Sequence, residues 1–284
     1  MRTQKEKGSL FRALHRRKGA FLIPNPWDVG TARLLAQLGF EALATTSAGC
    51  AFSLGLPDGK VTRLTALAHI AALAQAVDLP VSADLENGFD DRPQQVAETI
   101  RMAGAAGVVG GSIEDATGNA DQPIYPLELA VERIAAAAEA AHALPFPFTL
   151  TARAENFLHG RADLEDTLRR LRAYQEAGAD VLYAPGLTTK QEITAAVRAV
   201  RRPVNVLMTP KGPASSLAEL ARLGVKRASV GSALNRAALG AFLRAARELR
   251  DRGSFHFAEA AVPYATINQQ FRKYAAGEDF EEER

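Results

Sequence analysis

The stretch PVSADLENGFDDRPQQVAETIRMAGAAGVVGGSIED, residues 80–115, contains a complete strand–helix–strand unit. Its two ends predict strands at Pro80–Asp84 and Gly107–Ile113, and both runs lack the alternation of apolar and polar residues. Strands buried on both faces of a parallel sheet have this continuous apolar character. The intervening segment, Arg92–Ala105, has helical periodicity, and the glycine after it favours the left-handed backbone found at helix C-termini. The unit therefore predicts parallel strands joined by a helix.

The same alternation extends through most of the chain. The phrases QLGFEAL, EAGADVL and RLGVKRA repeat the glycine between a helix and the next strand. Including the first unit, eight strands are predicted, at Ala20–Ile23, Ala42–Thr46, Pro80–Asp84, Gly107–Ile113, Phe148–Ala152, Val181–Ala184, Pro203–Met208 and Arg227–Val230. Eight helices are predicted to follow them, at Val29–Leu38, Leu64–Val77, Arg92–Ala105, Pro126–His142, Leu164–Ala177, Lys190–Val200, Ser215–Leu223 and Ala233–Arg252.

Eight strand–helix repeats predict an α/β fold, a single (β/α)8 TIM-type barrel over residues 19–253. A doubly wound open sheet is the alternative. However, PNPWDVG after the first strand lacks the glycine-rich phosphate turn of that fold.

Two further segments flank the predicted barrel. Residues 1–18 predict an N-terminal helix, and residues 254–284 predict an extra C-terminal helix followed by the acidic tail GEDFEEER. The C-terminal segment carries an apolar set that has no obvious place on a complete barrel: Phe255, Phe257, Val262, Tyr264, Ile267 and Phe271. Because a large exposed apolar patch usually marks an interface, we expect a homo-oligomer in which this segment packs on a neighbouring barrel.

Composition excludes several classes of protein. The formal net charge is only +2, which does not favour nucleic acid or an anionic membrane. No apolar run reaches the roughly 18 residues needed to span a bilayer, and the basic N-terminus does not resemble a signal peptide. One cysteine excludes an internal disulfide framework and a multi-cysteine metal site. We therefore expect a cytoplasmic enzyme.

Polar residues follow the predicted strands, at the barrel end that carries active sites in this fold. The first, second and fifth strands supply the candidates for binding a small anionic substrate, which are Asn25, Asp28, Thr46, Ser47, Ala48 and Arg153. An arginine can hold a carboxylate or phosphonate through two hydrogen bonds. Backbone N–H groups of the Thr46–Ala48 turn are suited to a second anionic oxygen.

Carboxylates follow the third and fourth strands, at Asp84, Glu86 and Glu114. These side chains would repel one another unless a cation lay among them. Oxygen ligands without histidine or cysteine indicate a hard ion, so Mg²⁺ (or Mn²⁺) is the expected cofactor.

Several of these residues could instead have a purely structural role. Asp28 and Asp115 are suited to helix N-caps, and Asp58 to a turn. Arg153 is suited to bracing Glu155 or Asp115, and Cys50 to the role of a small buried apolar residue.

The motifs IPNPWDVG, ATTSAG, LGLPDG, VSADLENGF, SIEDA and TARAENF resemble the isocitrate lyase/phosphoenolpyruvate mutase superfamily, in particular its short 2-methylisocitrate lyase-like or phosphonomutase-like bacterial branch. The resemblance spans about Phe11 to Phe271. It implies a Mg²⁺-dependent barrel that acts on 2-oxo acids through an enolate, and it implies tetramers, dimers of dimers that exchange C-terminal helices. It further implies that the Thr46–Ala48 turn binds the substrate carboxylate and that Arg153 binds the substrate.

The metal residues implied by the resemblance are Asp84, Glu114 and, through the metal's water shell, Asp58. Two departures accompany this match. Ser82 occupies the position of the first aspartate in the metal motif, and Glu86 is the expected replacement. The loop after the fourth strand reads ATGNADQPIY and lacks the Lys-(Lys/Arg)-Cys-Gly-His sequence, whose cysteine is the acid/base of the true lyases.

Cleavage of isocitrate or 2-methylisocitrate leaves a carbanion that needs a proton donor, so we do not expect that activity. Metal-assisted decarboxylation of an oxaloacetate-type substrate demands less of the protein and is the leading expectation. Phosphonopyruvate-type C–P cleavage or phosphoryl transfer, with Asn119 near the transferred group, is the alternative reaction. A non-catalytic barrel that binds carboxylates is the alternative class of protein.

Overall fold

The computed structural model describes residues 1–208, 212 and 216–276, and it shows eight parallel strands wound into a nearly closed barrel. The strands adjoin in the order β1-β8-β7-β6-β5-β4-β3-β2. One backbone hydrogen bond, from Ala44 N to Pro24 O at 3.0 Å, joins the two ends of this sheet. The strands are β1 Phe21–Ile23, β2 Leu43–Ala44, β3 Val81–Asp84, β4 Gly110–Glu114, β5 Thr149–Arg153, β6 Val181–Tyr183, β7 Val204–Leu207 and β8 Arg227–Ser229.

Helices cover the barrel and confirm the predicted (β/α)8 architecture. They are α1 Gln4–Arg16, α2 Val29–Gln37, α3 Ser47–Ser53, α4 Arg63–Ala76, α5 Pro93–Ala105, α6 Leu127–His142, α7 Leu164–Glu176, α8 Lys190–Ala199, α9 Leu217–Arg222, α10 Ala233–Arg252 and α11 Tyr264–Ala276. Within the described ranges, no helix is both long and apolar enough to cross a membrane. The acidic tail, and the predicted start of a helix at Ser215, lie outside the described residues.

Two elements differ from prediction. Strand β2 contains only Leu43 and Ala44, and the residues after it form helix α3, which was not predicted. The Thr46 side chain accepts a hydrogen bond from Gly49 N at 3.2 Å and so caps this helix. Strand β4 begins at Gly110, because Gly107 has φ +100° and belongs to the turn that ends α5.

Helix α1 packs on the barrel near the first residues of the strands. Phe11 is fully buried among Leu14, Phe21 and Ile23. Its ring meets the rings of His15 and Phe21 edge to face, at 4.7 and 6.5 Å between centroids. Burial of one such aromatic side chain contributes roughly 1.5–3 kcal/mol to the free energy of unfolding. The predicted N-terminal helix is therefore present, and it fixes the end of the barrel opposite the site.

The C-terminal segment folds differently from the expectation. Helix α11 packs on α2 of its own barrel, where Gln37 Nε2 donates to Gln270 O at 2.6 Å. The Arg33 guanidinium also lies over the Tyr274 ring, 5.1 Å from its centroid. Helix α11 therefore has contacts on its own barrel that were not predicted, whereas the packing of the C-terminal segment on a neighbouring barrel stays a prediction.

Exposed apolar residues lie on α10 and on the chain that follows it, and they include Phe255, Val262 and Tyr264 of the predicted C-terminal set. Only Asn235 is buried in the 20 residues of α10. The exposed set consists of Leu234, Leu239, Phe242, Leu243, Leu249, Phe255, Val262 and Tyr264. A concentration of exposed apolar side chains of this kind is typical of an interface.

We therefore predict that the homo-oligomer, a dimer of dimers in our expectation, assembles through α10. Phe242 is 66% exposed, so Phe242→Glu should leave the fold intact and reduce the mass measured by light scattering, because a buried unpaired carboxylate opposes association. The matched control is Leu64→Glu, since Leu64 is 70% exposed on α4. A wild-type monomer at micromolar concentration would contradict the prediction.

Candidate functional site

The candidate site is a cavity of about 210 Å³ at the carboxyl ends of the strands. It opens into a wider cleft of about 1070 Å³, and Ser47, Asp58 and Arg153 line both spaces. The remaining lining of the inner cavity is mostly polar and includes Asn25, Thr46, Ala48, Ser82, Asp84, Ser112, Tyr183, Asn205, Arg227 and Ser229. A concave site with several convergent polar groups is typical of a pocket for a small ligand.

Arg153, the last residue of β5, is the centre of the charge distribution. Its Nη1 lies 3.0 Å from Asp84 Oδ1 and 3.0 Å from Glu114 Oε2, and its Nε donates to Glu155 Oε1 at 2.8 Å. The Arg153 side chain is only 14% exposed. Its Nη2 has no hydrogen-bond partner among the described residues. Arg153 therefore braces three carboxylates and keeps one donor nitrogen for a ligand.

One guanidinium does not balance these carboxylates. Burial raises the pKa of Glu114 well above its usual value, and the charges of Glu155, Asp84 and Glu86 raise it further against the lowering effect of Arg153. The pKa of Glu155 is raised, again mainly by burial. The pKa of Arg153 is raised well above its usual value, because the carboxylates outweigh the lowering effect of burial. The site therefore has an excess of negative charge.

Glu86 lies where several of these negative charges meet. Burial raises the pKa of this carboxyl group to about 7, with further contributions from the negative charges of Asp84 and Asp58. The Glu86 side chain has no hydrogen bond or ion pair to another described residue. Its backbone has φ +49°, a left-handed conformation that is uncommon for a non-glycine residue. The structure thus holds an unpaired carboxylate beside two others.

The turn predicted to bind a carboxylate is the first turn of α3. Ser47 N donates to Asp84 Oδ2 at 3.0 Å, so a carboxylate of the protein already occupies this amide. The Ala48 N–H has no partner among the described residues, and both residues line the cavity. Asp58 lies in the turn after α3, where the Ser47 side chain and the Gly59 amide hydrogen-bond its carboxylate. Burial, followed by the charge of Asp84, raises the Asp58 pKa.

Two residues predicted to bind substrate have other partners. Asp28 is exposed, and its carboxylate accepts from Thr31 N at 2.7 Å as the N-cap of α2. It does not line the cavity, so the structure favours the capping alternative for Asp28. Asn25 is buried at the cavity wall, where it donates to Thr45 O at 2.9 Å and accepts from Val230 N and Gly231 N. Its side chain therefore joins β1, β2 and β8.

Asp115 also has a structural role. It is 3% exposed and accepts from Glu155 N at 2.8 Å and from Arg170 Nη1 at 3.0 Å, and Tyr174 donates to it as well. These contacts fix the segment that carries Glu155, and thereby hold the carboxylate that braces Arg153. Asn119 lies in an exposed turn, where its side chain accepts from Asp121 N, and it does not line the cleft.

Sequence reasoning missed the polar wall on the last three strands. Tyr183, Asn205 and Ser229 line the cavity from β6, β7 and β8, together with the buried Arg227. Arg227 Nε donates to Asn205 Oδ1 at 2.9 Å and its Nη2 to Thr151 Oγ1 at 3.0 Å. The sequence contained evidence for this polar wall, because polar residues inside strands that are otherwise apolar are unusual in a barrel core.

Comparison with known proteins identifies the family. The family model for phosphoenolpyruvate phosphomutase matches residues 11–250. The chain therefore belongs to this family, within the isocitrate lyase/phosphoenolpyruvate mutase superfamily. A solved structure from Burkholderia cenocepacia J2315, described only provisionally as a lyase/mutase, is 67% identical with a TM-score of 0.92. The match covers 94% of this chain and 96% of that one.

More distant relatives carry specific names. An oxaloacetate decarboxylase of Chromohalobacter salexigens is 27% identical over 93% of both chains. A 2-methylisocitrate lyase of Escherichia coli is 29% identical over 81% of both. A phosphonopyruvate hydrolase, whose structure is described as a complex with oxalate and Mg²⁺, is 26% identical with a TM-score of 0.83 over 97% of this chain and 98% of that one.

The donor set formed by Asp84 of the cavity and Glu86 of the wider cleft fits a hard divalent cation. Among the described residues, no three carboxylate, imidazole or thiol groups converge as a complete metal site. Mg²⁺ does not require such a group, because it commonly binds through one or two carboxylates and fills its remaining positions with water and substrate oxygens. The unpaired Glu86 and the neighbouring Asp84 meet that requirement, and a cation there would offset the excess negative charge.

We predict that Mg²⁺ binding strengthens as the pH rises from 6 to 8. Because the Glu86 pKa is about 7, this group is protonated at the lower pH and must lose its proton to bind a cation. Calorimetric titration should show that the Mg²⁺ affinity increases with pH. Glu86→Gln should weaken Mg²⁺ binding and reduce its dependence on pH. Asp84→Ala should abolish binding, whereas Asp28→Asn, which alters only an exposed helix cap, should leave it unchanged. Equal affinity in the wild type and Asp84→Ala would contradict the assignment.

Proposed function

We propose that the protein is a divalent-metal-dependent lyase that decarboxylates a small 2-oxo dicarboxylate of the oxaloacetate type. The observation that carries the proposal is the arrangement around Arg153. One nitrogen of this guanidinium is free beside an unbalanced set of carboxylates, in a cavity sized for a small molecule. A divalent cation would offset the negative charge of these carboxylates, and a 2-oxo acid that chelates the cation would accept a hydrogen bond from the free nitrogen of Arg153. The relative named oxaloacetate decarboxylase supports the same reaction.

The protein's own residues have defined tasks in this proposal. Arg153 Nη2 and the free Ala48 amide hold the substrate carboxylate, and Asp84 and Glu86 hold the cation. When bound, the cation supplies a Lewis acid that accepts negative charge developing on the 2-oxo oxygen. The carboxylates around Arg153 fix the plane of its guanidinium, and this plane sets the direction in which the free Nη2 donates to a ligand.

The loop after β4 favours decarboxylation over aldol-type cleavage. Residues 116–125 contain no cysteine, histidine or lysine. In the structure, Ala116 and Ile124 form an antiparallel bridge, and Thr117 N donates to Pro123 O at 2.9 Å. The loop thus forms a small hairpin beside the cleft and offers no cysteine, histidine or lysine as a proton donor. Loss of CO2 forms the enolate without an acid at the leaving group, whereas cleavage of a 2-hydroxy tricarboxylate needs more acid–base catalysis.

We predict Mg²⁺-dependent release of CO2 from oxaloacetate, and no succinate from isocitrate or 2-methylisocitrate. Arg153→Lys should lower kcat/KM at least 100-fold, because a point charge cannot reproduce the planar fork. The matched control is Arg101→Lys, since Arg101 forms only an exposed pair with Glu98.

The results separate the candidate functions. Phosphate released from phosphonopyruvate in place of CO2 from oxaloacetate would indicate C–P cleavage. Binding without turnover of any 2-oxo acid would indicate a non-catalytic barrel. A value of kcat/KM within about threefold of the wild type in Arg153→Lys, well under 1 kcal/mol in transition-state binding, would assign Arg153 a structural role only.

A further inference from the structure

Decarboxylation leaves an enolate that must gain a proton on carbon. This inference rests on the proposed function, and it concerns the group that delivers that proton. The cavity wall offers few candidates among the described residues. It contains no histidine, cysteine or lysine. Its carboxylates are Asp84, a proposed ligand of the cation, and Asp58, which is hydrogen-bonded by Ser47 and Gly59.

The nearest alternatives lie outside the inner cavity. Cys50 and His69 line a separate recess of about 10 Å³, and a ring nitrogen of His69 is hydrogen-bonded to Trp27 O at 2.8 Å. His159 is exposed and lines only the outer cleft. The one phenol in the inner cavity is Tyr183, which ends β6 and is 8% exposed.

The side chains behind Tyr183 are hydrogen-bonded to one another and leave its hydroxyl hydrogen available to the cavity. Arg227 Nε donates to Asn205 Oδ1, so the Asn205 amide must present Nδ2 to Ser229 Oγ, at 3.0 Å. Ser229 therefore accepts from Asn205. The Tyr183 hydroxyl hydrogen is left without an acceptor among the described residues, at the wall of the cavity.

The neighbours of Tyr183 also stabilise the anion that proton transfer would leave. Arg153 lies over the phenol ring, with its guanidinium carbon 5.1 Å from the centroid. Burial raises the Tyr183 pKa to about 12, against the lowering effects of Arg153 and Ser229. The phenol is therefore protonated at neutral pH, as a proton donor must be. The Arg153 guanidinium beside it offsets the charge of a transient phenolate.

We propose that Tyr183 is the catalytic acid that protonates the enolate at C3. The C3–C4 bond breaks first, CO2 leaves, and the electron pair enters the C2–C3 bond of the enolate. The Tyr183 O–H bond then breaks as the enolate forms a C3–H bond and its C2–O⁻ becomes a carbonyl. The phenolate regains a proton from water in the outer cleft.

The test uses the full-length enzyme with Mg²⁺ and 2-methyl-3-oxosuccinate in D2O. The product, 2-oxobutyrate, is trapped by enzymatic reduction so that the configuration at its deuterated C3 can be determined. The wild type should give one configuration, because one face of the bound enolate meets Tyr183. Tyr183→Phe should still release CO2 but give both configurations equally, since the enolate is then protonated by water. With oxaloacetate, Tyr183→Phe should also show a lag between CO2 release and pyruvate formation.

Two controls separate a catalytic role from a structural one. Tyr183→Phe keeps the ring that Arg153 covers, so its affinity for oxalate should stay within threefold of the wild type. Tyr264→Phe, at a tyrosine that is 84% exposed, should behave as the wild type. A single configuration without a lag in Tyr183→Phe, or equal configurations in the wild type, would overturn the assignment of Tyr183. Absence of CO2 release from the wild type would instead refute the proposed decarboxylation, and the role of Tyr183 in it.

Discussion

The guanidinium of Arg153 among three carboxylates is the interaction on which the rest of the site depends. It contacts Asp84 from β3, Glu114 from β4 and Glu155 beyond β5, so one cation ties together the carboxyl ends of three neighbouring strands. Removal of one partner from such a buried group leaves an uncompensated charge and costs several kcal/mol. The geometry of the ligand position and the integrity of this barrel edge are therefore coupled.

The stagger of the barrel explains why this group extends into a deep cavity. Paired residues on successive strands run from Glu114 through Arg153, Tyr183 and Asn205 to Arg227. Glu114 ends its strand and Arg227 begins one, so the row descends from the rim toward the opposite end of the barrel. Residues in register share a face of the sheet, and here that face is the barrel interior. Polar side chains in this row replace the apolar filling of an ordinary barrel core.

The sequence was sufficient to predict the barrel, because glycine punctuation and two-sided apolar strands are local properties. It also identified Asp84, Glu114 and Arg153, since side chains at the carboxyl ends of adjacent strands must converge. It could not show that Arg153 itself is the cation between the carboxylates, because that depends on side-chain conformation. The same limitation applies to Asp28, whose position allows either a cap or a ligand, and to Tyr183, which sequence reading places in the core.

We conclude that Arg153 commits two of its three nitrogens to protein carboxylates, and that an anion binds strongly to the third only when a divalent cation supplies the missing positive charge. The direct test is calorimetric titration of the wild-type protein with oxalate, with and without Mg²⁺. We predict that Mg²⁺ strengthens oxalate binding at least 100-fold, and by linkage that oxalate strengthens Mg²⁺ binding by the same factor. Equal oxalate affinity in the presence and absence of Mg²⁺ would contradict it.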